Sequence, residues 1–490
     1  MKNTASIKRN FIMNAILTMS SFIFPLISFK YASQILLPIG TGKVSFAVSI
    51  VSYFDLFAQL GIPTYGVRAC AQVRDNKEKL SRTVLELLRI NLVMCVFTYA
   101  AFAIALVCVP RLQSERTLYI IVSLTILLNS IGMEWLYRGL EKYSYITFRS
   151  IVFKAIALLA LFLLIHEKED YILYGVITIF ASSASNIMNF IHAHKYIDFR
   201  QRHDLNLRRH WKSIGVFFAM ACATTIYTHL DMVMLGFMTS DADVGYYHAA
   251  IRIKQILVSI VTSLGAVLLP RSSYYVERGE MASFYRITRK ALSFVFLFAV
   301  PLMVYFAIFA EQGIFFLSST AFAESIRPMQ IIMPTLLFIG ITNILGIQML
   351  VPLGREKTVL YSEIAGAITD LILNALFIPG MHAAGAAIGT LMAEFVVLVV
   401  QYIGLRKENI SEQFHNIHYG NIAIAVLLAV LSSVWIRKMV FVSNATWNSF
   451  IILVISAILF FSVYVLTLIL KHEDLAIEVM KSVEARLKRK

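Results

Sequence analysis

Several ionisable side chains of this sequence lie inside long apolar segments. A charge at bilayer depth is costly unless it pairs or faces water, so each is a candidate functional group. Asp231 and Arg252 lie 7 and 8 residues from a turn shared by two consecutive apolar segments. At this matched depth they could form an ion pair, or Arg252 could contact an anionic substrate in a cavity; both interpretations stay open. Lys254 lies about 200° around the helix from Arg252, so only one of them can point straight into a cavity.

A second group of polar residues has oxygen-bearing side chains. Asp370 and Asn374 are four residues apart and share one face of a helix, as do Thr390 and Glu394 in the next apolar segment. Measured from the turn between the segments, the two pairs lie at similar depths. Their oxygens suit a proton or a small hard cation such as Na⁺. The alternative is a hydrogen-bonded polar seam that holds the two helices together.

Three further residues complete the set of candidates. Asp55 is an isolated acid in the middle of an apolar segment, and is either a proton site or the partner of a nearby base. Lys30 and Lys43 flank the first turn, where they form a basic mouth or mark the membrane interface. We expect Arg252, Lys254, Lys30 and Lys43 to contribute to a cationic cavity.

Other kinds of chemistry find no support in the sequence. The four cysteines have no CxxC spacing, which argues against a disulfide framework or a zinc site. There is no metal-ligand cluster, phosphate-cradling glycine loop or nucleophile elbow. We therefore expect no metal and no cofactor apart from a coupling ion, H⁺ or Na⁺.

The composition indicates what kind of protein carries these residues. Of 490 residues, 58% are hydrophobic and 15% are charged, and the mean hydropathy is +0.73. Soluble domains average about 25% charged residues. This excludes a cytosolic enzyme, a nucleic-acid module and a secreted disulfide scaffold. The net charge of +15 is better explained by basic cytoplasmic loops than by nucleic-acid binding.

Apolar segments long enough to cross a membrane recur along the whole chain. A crossing needs about 20 residues. Eight segments carry no charge: 11–29, 90–109, 117–133, 171–191, 291–310, 328–353, 419–436 and 448–470. Six more contain one or two ionisable residues: 44–67, 150–165, 213–238, 244–270, 358–379 and 383–403. The sequence predicts an all-α integral membrane protein with about fourteen transmembrane helices.

The distribution of basic residues predicts the orientation. The termini and the loops on their side hold 33 of the 44 lysines and arginines, and the loops on the other side hold 8. Because cytoplasmic loops are enriched in these residues, both termini are predicted to be cytoplasmic. The basic run 481–490 is predicted to lie on anionic lipid.

Weak internal similarity predicts two related lobes. KVSFA at 43–47 resembles DVGYY at 243–247, and GLEK at 139–142 resembles GREK at 354–357. We predict two pseudo-symmetric six-helix lobes, residues 1–200 and 201–410, followed by two further helices and a basic cytoplasmic tail in 411–490. Duplication of this kind is common in transporters. No outward loop resembles a folded domain, so we do not expect an enzyme.

Several motifs carry a resemblance to a known family. They are FPLI (24–27), SIVSYF (49–54), LGIPTYGVR (60–68), EWLYRGLEKY (134–143), DMVMLG (231–236) and VGYY (244–247). The sequence resembles the Wzx-type flippases of lipid-linked oligosaccharides, in the multidrug/oligosaccharidyl-lipid/polysaccharide exporter superfamily. The resemblance extends over essentially the whole chain. One departure is Gln34, where relatives usually carry arginine; Lys30, one turn earlier, is the candidate substitute.

The resemblance implies a function in surface-polysaccharide assembly. It implies a multi-pass protein of the bacterial cytoplasmic membrane that moves an undecaprenyl-diphosphate-linked repeat unit of O-antigen, capsule or exopolysaccharide to the outer leaflet. Alternating access of two lobes, coupled to an ion gradient, would drive the step. Membrane lipids and the polysaccharide polymerase machinery are the expected partners. The alternatives are a flippase for the peptidoglycan lipid precursor, a cation-coupled drug exporter and, from another class, a membrane enzyme.

Overall fold

The computed structural model describes residues 2–200, 205–408, 410–415, 417–473 and 477, and these residues form helices without any strand. The predicted tail 481–490 lies outside the described residues. The first ten α-helices are α1 (Lys2–Gln59), α2 (Ile62–Val73), α3 (Lys77–Cys108), α4 (Pro110–Gln113), α5 (Arg116–Gly132), α6 (Glu134–Gly139), α7 (Tyr143–Leu164), α8 (Tyr171–Ile179), α9 (Ser185–Ala193) and α10 (Arg208–Met238).

The remaining α-helices continue to the last apolar segment. They are α11 (Asp241–Glu277), α12 (Met281–Ile308), α13 (Ala310–Leu317), α14 (Ile326–Ile332), α15 (Thr335–Thr342), α16 (Glu356–Gly404), α17 (Ile410–His415), α18 (Tyr419–Ser433) and α19 (Ala445–Leu470). Short 3₁₀ segments occur at Lys168–Asp170, Thr320–Ser325, Arg406–Glu408 and Val434–Lys438, and π-helical segments at Phe180–Ala184 and Asn343–Leu350.

The helix α1 is far longer than one membrane crossing requires. Its 58 residues would extend for roughly 90 Å if they were straight, about three times the thickness of the hydrocarbon core. Leu37 leaves helical geometry, with φ 58° and ψ −175°. The next residue is Pro38, which disfavours helical geometry at the residue before it. The chain therefore has a break where the sequence predicted the first turn.

The two halves of α1 contact different helices, and the two halves run in opposite directions. In the first half, the Thr147 hydroxyl donates to the carbonyl of Met13, and the Tyr31 hydroxyl donates to that of Ile165. Residue numbers therefore rise together along α1 and α7, which means that this half runs parallel to α7.

The second half of α1 runs parallel to α5. Lys43 pairs with Glu115 just before α5, and the Asn129 amide near the end of α5 donates to Asp55. Since α5 and α7 are joined through α6 and run in opposite directions, the two halves of α1 are antiparallel. The helix α1 is a transmembrane hairpin.

The helix α16 is a second hairpin. His382 has φ 51° and ψ −130°, which breaks the helix near its middle. The Gln401 amide donates to the Ser362 hydroxyl over 3.1 Å, and Gly385 lies against the backbone of Phe377. From Ser362–Gln401 to Phe377–Gly385, the residue number rises on one side of His382 and falls on the other. The chain must therefore reverse its direction at His382. The sequence prediction of two spans, 358–379 and 383–403, is consistent with this hairpin.

The span count follows from these hairpins. Ten helices of the described chain are long and apolar enough to cross a membrane, and two bent pairs bring the number to twelve. Counting α1 with α2, and α16, as two crossings each gives about fourteen. Large apolar side chains that face outward, such as Val96, Leu163 and Ile458, provide the lipid-facing surface. The predicted all-α, multi-pass membrane fold is confirmed.

The chain divides into two compact units, Met1–Gly245 and Tyr246–Lys490. This boundary follows α10, which packs against α1 and α2, whereas the predicted lobes meet at 200/201. The division at residue 245 is defined by contacts between residues, whereas the predicted lobes are defined by an internal duplication of the sequence. The contacts do not test the duplication, which stays a prediction.

Close contact between α2 and α6 fixes one wall of the first unit. A Cβ atom at Gly66 would lie 2.7 Å from the Trp135 ring, and one at Gly139 would lie 2.9 Å from Cys70. Trp135 and Tyr137 are buried in the core that these helices share with α3. Glycines at these two positions let the helices approach closely enough to hold Trp135 in place.

Candidate functional site

The predicted oxygen-bearing residues of α16 form a buried cluster in the second unit. Asp370, Asn374, Thr390 and Glu394 are all buried, and the hairpin brings its two halves together at this depth. The Tyr247 hydroxyl of α11 lies 2.7 Å from the Thr390 hydroxyl oxygen. Three helical segments therefore meet at one intramembrane polar cluster, which we call the hairpin cluster.

Gly389 allows the two halves of α16 to approach at this cluster. A Cβ atom built there would lie 2.2 Å from the Asn374 side-chain oxygen and 2.9 Å from a carboxylate oxygen of Asp370. Real Cβ atoms do not come so close to oxygen. The hydrogen atom of Gly389 is what leaves room for the Asn374 and Asp370 side chains between the helices.

Asp55 has amide partners in the first unit. The Asn129 amide donates to one oxygen of Asp55 over 2.9 Å, and the Gln59 amide donates to the other over 3.3 Å. The Asn186 amide donates in turn to the Asn129 oxygen over 3.0 Å. These hydrogen bonds join α1, α5 and α9. The sequence did not predict these partners of Asp55. We call this group the amide network.

Lys43 has an acidic partner beside the first turn. Its ammonium lies 2.5 Å from a carboxylate oxygen of Glu115 and 4.4 Å from the centre of the Tyr171 ring, and the Tyr171 hydroxyl donates to Glu115. Arg111 pairs with Asp241 in the same way at 2.5 Å. The positive charge of Lys43 is therefore neutralised locally, which weakens its case as a substrate-binding group.

The other predicted residues are distributed over both units. Asp231 is buried in the first unit, and Lys30 is half-buried there. Arg252 and Lys254 are half-buried on α11 in the second unit. The suggested pairing of Asp231 with Arg252 would join the two units, and it stays a prediction.

A further charged cluster surrounds Glu86 in the first unit, and the sequence did not predict it. Glu86 of α3 is fully buried and accepts hydrogen bonds from Arg209 and from the backbone N–H of Asn206. His210 lies 2.8 Å from Glu86 and 2.7 Å from the Tyr65 hydroxyl. Several partners compensate the buried charge of Glu86, which attaches the start of α10 to α2 and α3.

A cavity of about 320 Å³ adjoins the amide network. Its lining residues all belong to the first unit: Asp55, Gln59, Pro63, Thr64, Asn129, Gly132, Glu134, Trp135, Arg138, Ser182 and Asn186. The sequence analysis did not identify Asn129 and Asn186 as candidates. Their occurrence in two spans that carry no charge could have indicated a polar site. In the part of the chain that the structure describes, no three His, Cys, Asp or Glu side chains are placed to hold a metal ion.

Comparison with known proteins identifies the family of this chain. The sequence model described as "Polysaccharide biosynthesis protein" matches residues 7–276, more than half of the chain. The chain belongs to the polysaccharide biosynthesis protein family. A second model, MatE, matches residues 217–376.

Two relatives align with this chain over almost their full length. A protein of Escherichia coli (strain K12) named "Putative O-antigen transporter" is 23% identical over 83% of this chain and 99% of its own. A protein of the same name from Shigella dysenteriae is 23% identical over 80% of this chain and 98% of its own. Together with the family model, they confirm the resemblance to Wzx-type flippases.

Solved structures show the same fold. "Lipid II flippase MurJ, inward closed conformation" superposes with a TM-score of 0.69 at 17% identity, over 95% of this chain and 99% of that one. An inward-facing multidrug resistance MATE family transporter of the MOP superfamily gives 0.63 at 14% identity, over 83% and 99%. This family member therefore has the fold of that superfamily.

Proposed function

We propose that this protein is a flippase that carries an undecaprenyl-diphosphate-linked oligosaccharide from the cytoplasmic to the outer leaflet of the bacterial cytoplasmic membrane. The observation that carries the proposal is family membership, supported by relatives named as O-antigen transporters that align over nearly their whole length. The repeat unit would serve O-antigen, capsule or exopolysaccharide assembly. Association with a polysaccharide polymerase belongs to the same proposal.

The chemistry of the substrate assigns a role to intramembrane cations. A diphosphate that crosses the bilayer must exchange its hydration for positive partners, and arginine supplies charge-assisted hydrogen bonds to phosphate oxygens. Arg252 lies half-buried within α11, and Lys254 follows on another face of the helix. We assign Arg252 the main contact to the diphosphate, with Lys30 as a second candidate and Lys43 less suited because of Glu115.

The hairpin cluster is the proposed site of ion coupling. Two carboxylates, an amide and two hydroxyls meet there in a buried position on α16 and α11. Such oxygens suit a proton or Na⁺, and occupancy of the site would bias one conformation over another. Asp231 is a further candidate for coupling. The protein acts as a transporter and catalyses no covalent step.

A leaflet assay tests the proposal. We expect that deletion of the gene leaves the undecaprenyl-linked glycan in the cytoplasmic leaflet, where an impermeant glycan-modifying enzyme cannot reach it in intact spheroplasts. A wild-type copy should restore access. If the glycan of the deletion strain remains accessible from outside, the proposed function is wrong. If the peptidoglycan precursor accumulates instead, the alternative substrate is correct.

A further inference from the structure

We propose that the cavity beside the amide network is a sugar-binding subsite that takes one sugar ring of the transported glycan. This inference rests on the proposed function and assigns part of the substrate to a defined place in the first unit. We call it the sugar cavity, and its lining residues are those given above. The end of α1, with α2, α5, α6 and α9, contributes to its walls.

The amide network holds one wall of the sugar cavity in a fixed orientation. Asn129 uses its nitrogen for Asp55 and its oxygen for Asn186, so the direction of its side-chain amide is determined. Gln59 is fixed in the same way, because its nitrogen donates to Asp55 and its oxygen accepts from Asn91 at 3.4 Å. Each bond uses one lone pair of a carboxylate oxygen that has two, so Asp55 retains capacity to accept hydrogen bonds.

The helix α6 adds an acid, a base and an indole to the lining of the cavity. Glu134 accepts from Arg138 at 2.7 Å and from Arg149 at 3.4 Å. Trp135 is buried and contributes to the lining of the cavity.

The size of the cavity and the variety of its polar groups favour a sugar over an ion. A bare ion needs about the space of one water molecule, whereas 320 Å³ lies in the range of small-molecule pockets, roughly 300–1,000 Å³. A cation is held by acceptors, but this lining adds the donors of Asn129 and Arg138 to the carboxylates of Asp55 and Glu134. Sugar hydroxyls both donate and accept, so they match such a mixture.

The charge balance argues against the other parts of the substrate. The cavity lining contains two acids, Asp55 and Glu134, and one base, Arg138, so it offers no excess of positive charge to a diphosphate. The polar lining is equally unsuited to a polyprenyl chain. A neutral polar ligand remains.

Two backbone irregularities adjoin the cavity. The π-helical turn Phe180–Ala184 carries Ser182 and immediately precedes α9, which carries Asn186. Met133 has φ 41° and ends α5 just before Glu134 and Trp135. Both features direct polar residues to the cavity from segments that would otherwise continue as regular helix. Such π-helical turns are frequent at functional sites.

Binding of the protein's own glycan tests the inference. Mild acid releases a lipid-free oligosaccharide from the glycolipid of a deletion strain, and this oligosaccharide is the probe. It is titrated onto the full-length protein in a detergent without a sugar headgroup, and followed by saturation-transfer difference NMR. We expect saturable binding at millimolar concentration.

Substitutions locate the binding site. Trp135→Phe reduces the ring that lines the cavity and keeps an aromatic side chain, and Asn129→Ala removes the fixed amide. Each should weaken binding about 3- to 10-fold, the loss expected for one ring contact or one hydrogen bond. Trp211→Phe is the matched control, because Trp211 is exposed on α10 and does not line the cavity. Melting temperatures measured in parallel show that each variant is folded.

Defined results would overturn the inference. They are the absence of saturable binding to the folded wild-type protein, or equal affinities in Trp135→Phe, Asn129→Ala and Trp211→Phe. In both cases the deletion strain still accumulates its glycan, so the proposed function stands. A strain that accumulates none contradicts the proposed function instead.

Discussion

Intramembrane polar groups of the first unit are compensated by specific neighbours. Lys43 has Glu115, Asp55 has two amides, and the Lys154 ammonium donates to the hydroxyls of Ser20 and Ser21 at 3.0 Å. Each arrangement lowers the cost of a polar or charged group at depth. A charged residue inside a span is therefore insufficient evidence of substrate contact, and its partners decide its role.

Arg252 is the residue on which the proposed diphosphate contact depends. We expect Arg252→Ala to lower export of surface polysaccharide at least tenfold, because one hydrogen bond to a charged group contributes about 1.5–3 kcal/mol. Arg252→Lys should retain part of the activity. The measurement is surface polysaccharide per unit of membrane-inserted protein. Arg286→Ala, an exposed arginine on α12, is the control; equal export by both alanine variants would remove Arg252 from the mechanism.

The carboxylates of the hairpin cluster should determine the response to the ion gradient. Asp370→Asn and Glu394→Gln keep the shape of the side chains and remove their charge. Transport by either variant should depend less on an imposed proton or sodium gradient, measured as the ratio of rates with and without it. Glu363→Gln makes the same change on α16, outside the cluster, and should leave the ratio unaltered. If all three variants behave alike, the cluster is a polar seam.

The sequence predicted residues better than it predicted their partners. The four positions of the hairpin cluster followed from i,i+4 spacing and a shared turn, because both are local properties of the chain. The partners Glu115 of Lys43 and Asn129 of Asp55 are 72 and 74 residues away along the chain. Which side chains meet over such distances depends on helix packing, which spacing does not reveal.

At the scale of elements, a glycine sets the distance between the two halves of α16. We expect Gly389→Ala to destabilise the protein by about 1–3 kcal/mol, the usual cost of overpacking a fitted interior. Gly380→Ala in the same hairpin is the control, since nothing lies within 4 Å of a Cβ atom there. Thermal unfolding in detergent measures both. Similar melting temperatures for the two variants would contradict the close approach at the hairpin cluster.

The elements themselves were largely predictable. Apolar length located the spans, and proline near residues 37 and 382 accompanies the breaks in α1 and α16. The π-helical turns and the left-handed residue Met133 were not predicted, because tertiary packing stabilises them against local preference. Of these irregularities, the turn Phe180–Ala184 and Met133 adjoin the sugar cavity.

At the scale of the whole molecule, the orientation of the spans can be tested by labelling. We expect both termini to be cytoplasmic, because basic residues concentrate on that side. In a cysteine-free background, Ser114→Cys and Gly380→Cys should react with an impermeant maleimide in intact cells. Arg74→Cys and Lys357→Cys should react only after permeabilisation. All four positions are exposed in the structure, so the reverse pattern would invert the topology.

The tight turn at His382 also has a consequence for biogenesis. Asp370 and Glu394 lie on opposite arms of α16, and each acid would enter the bilayer unfavourably if its arm left the translocon alone. The break at His382 leaves no extended loop between the arms. The nascent chain should therefore deliver both arms to the lipid as one preassembled insertion unit, with the two acids already shielded by each other's helix.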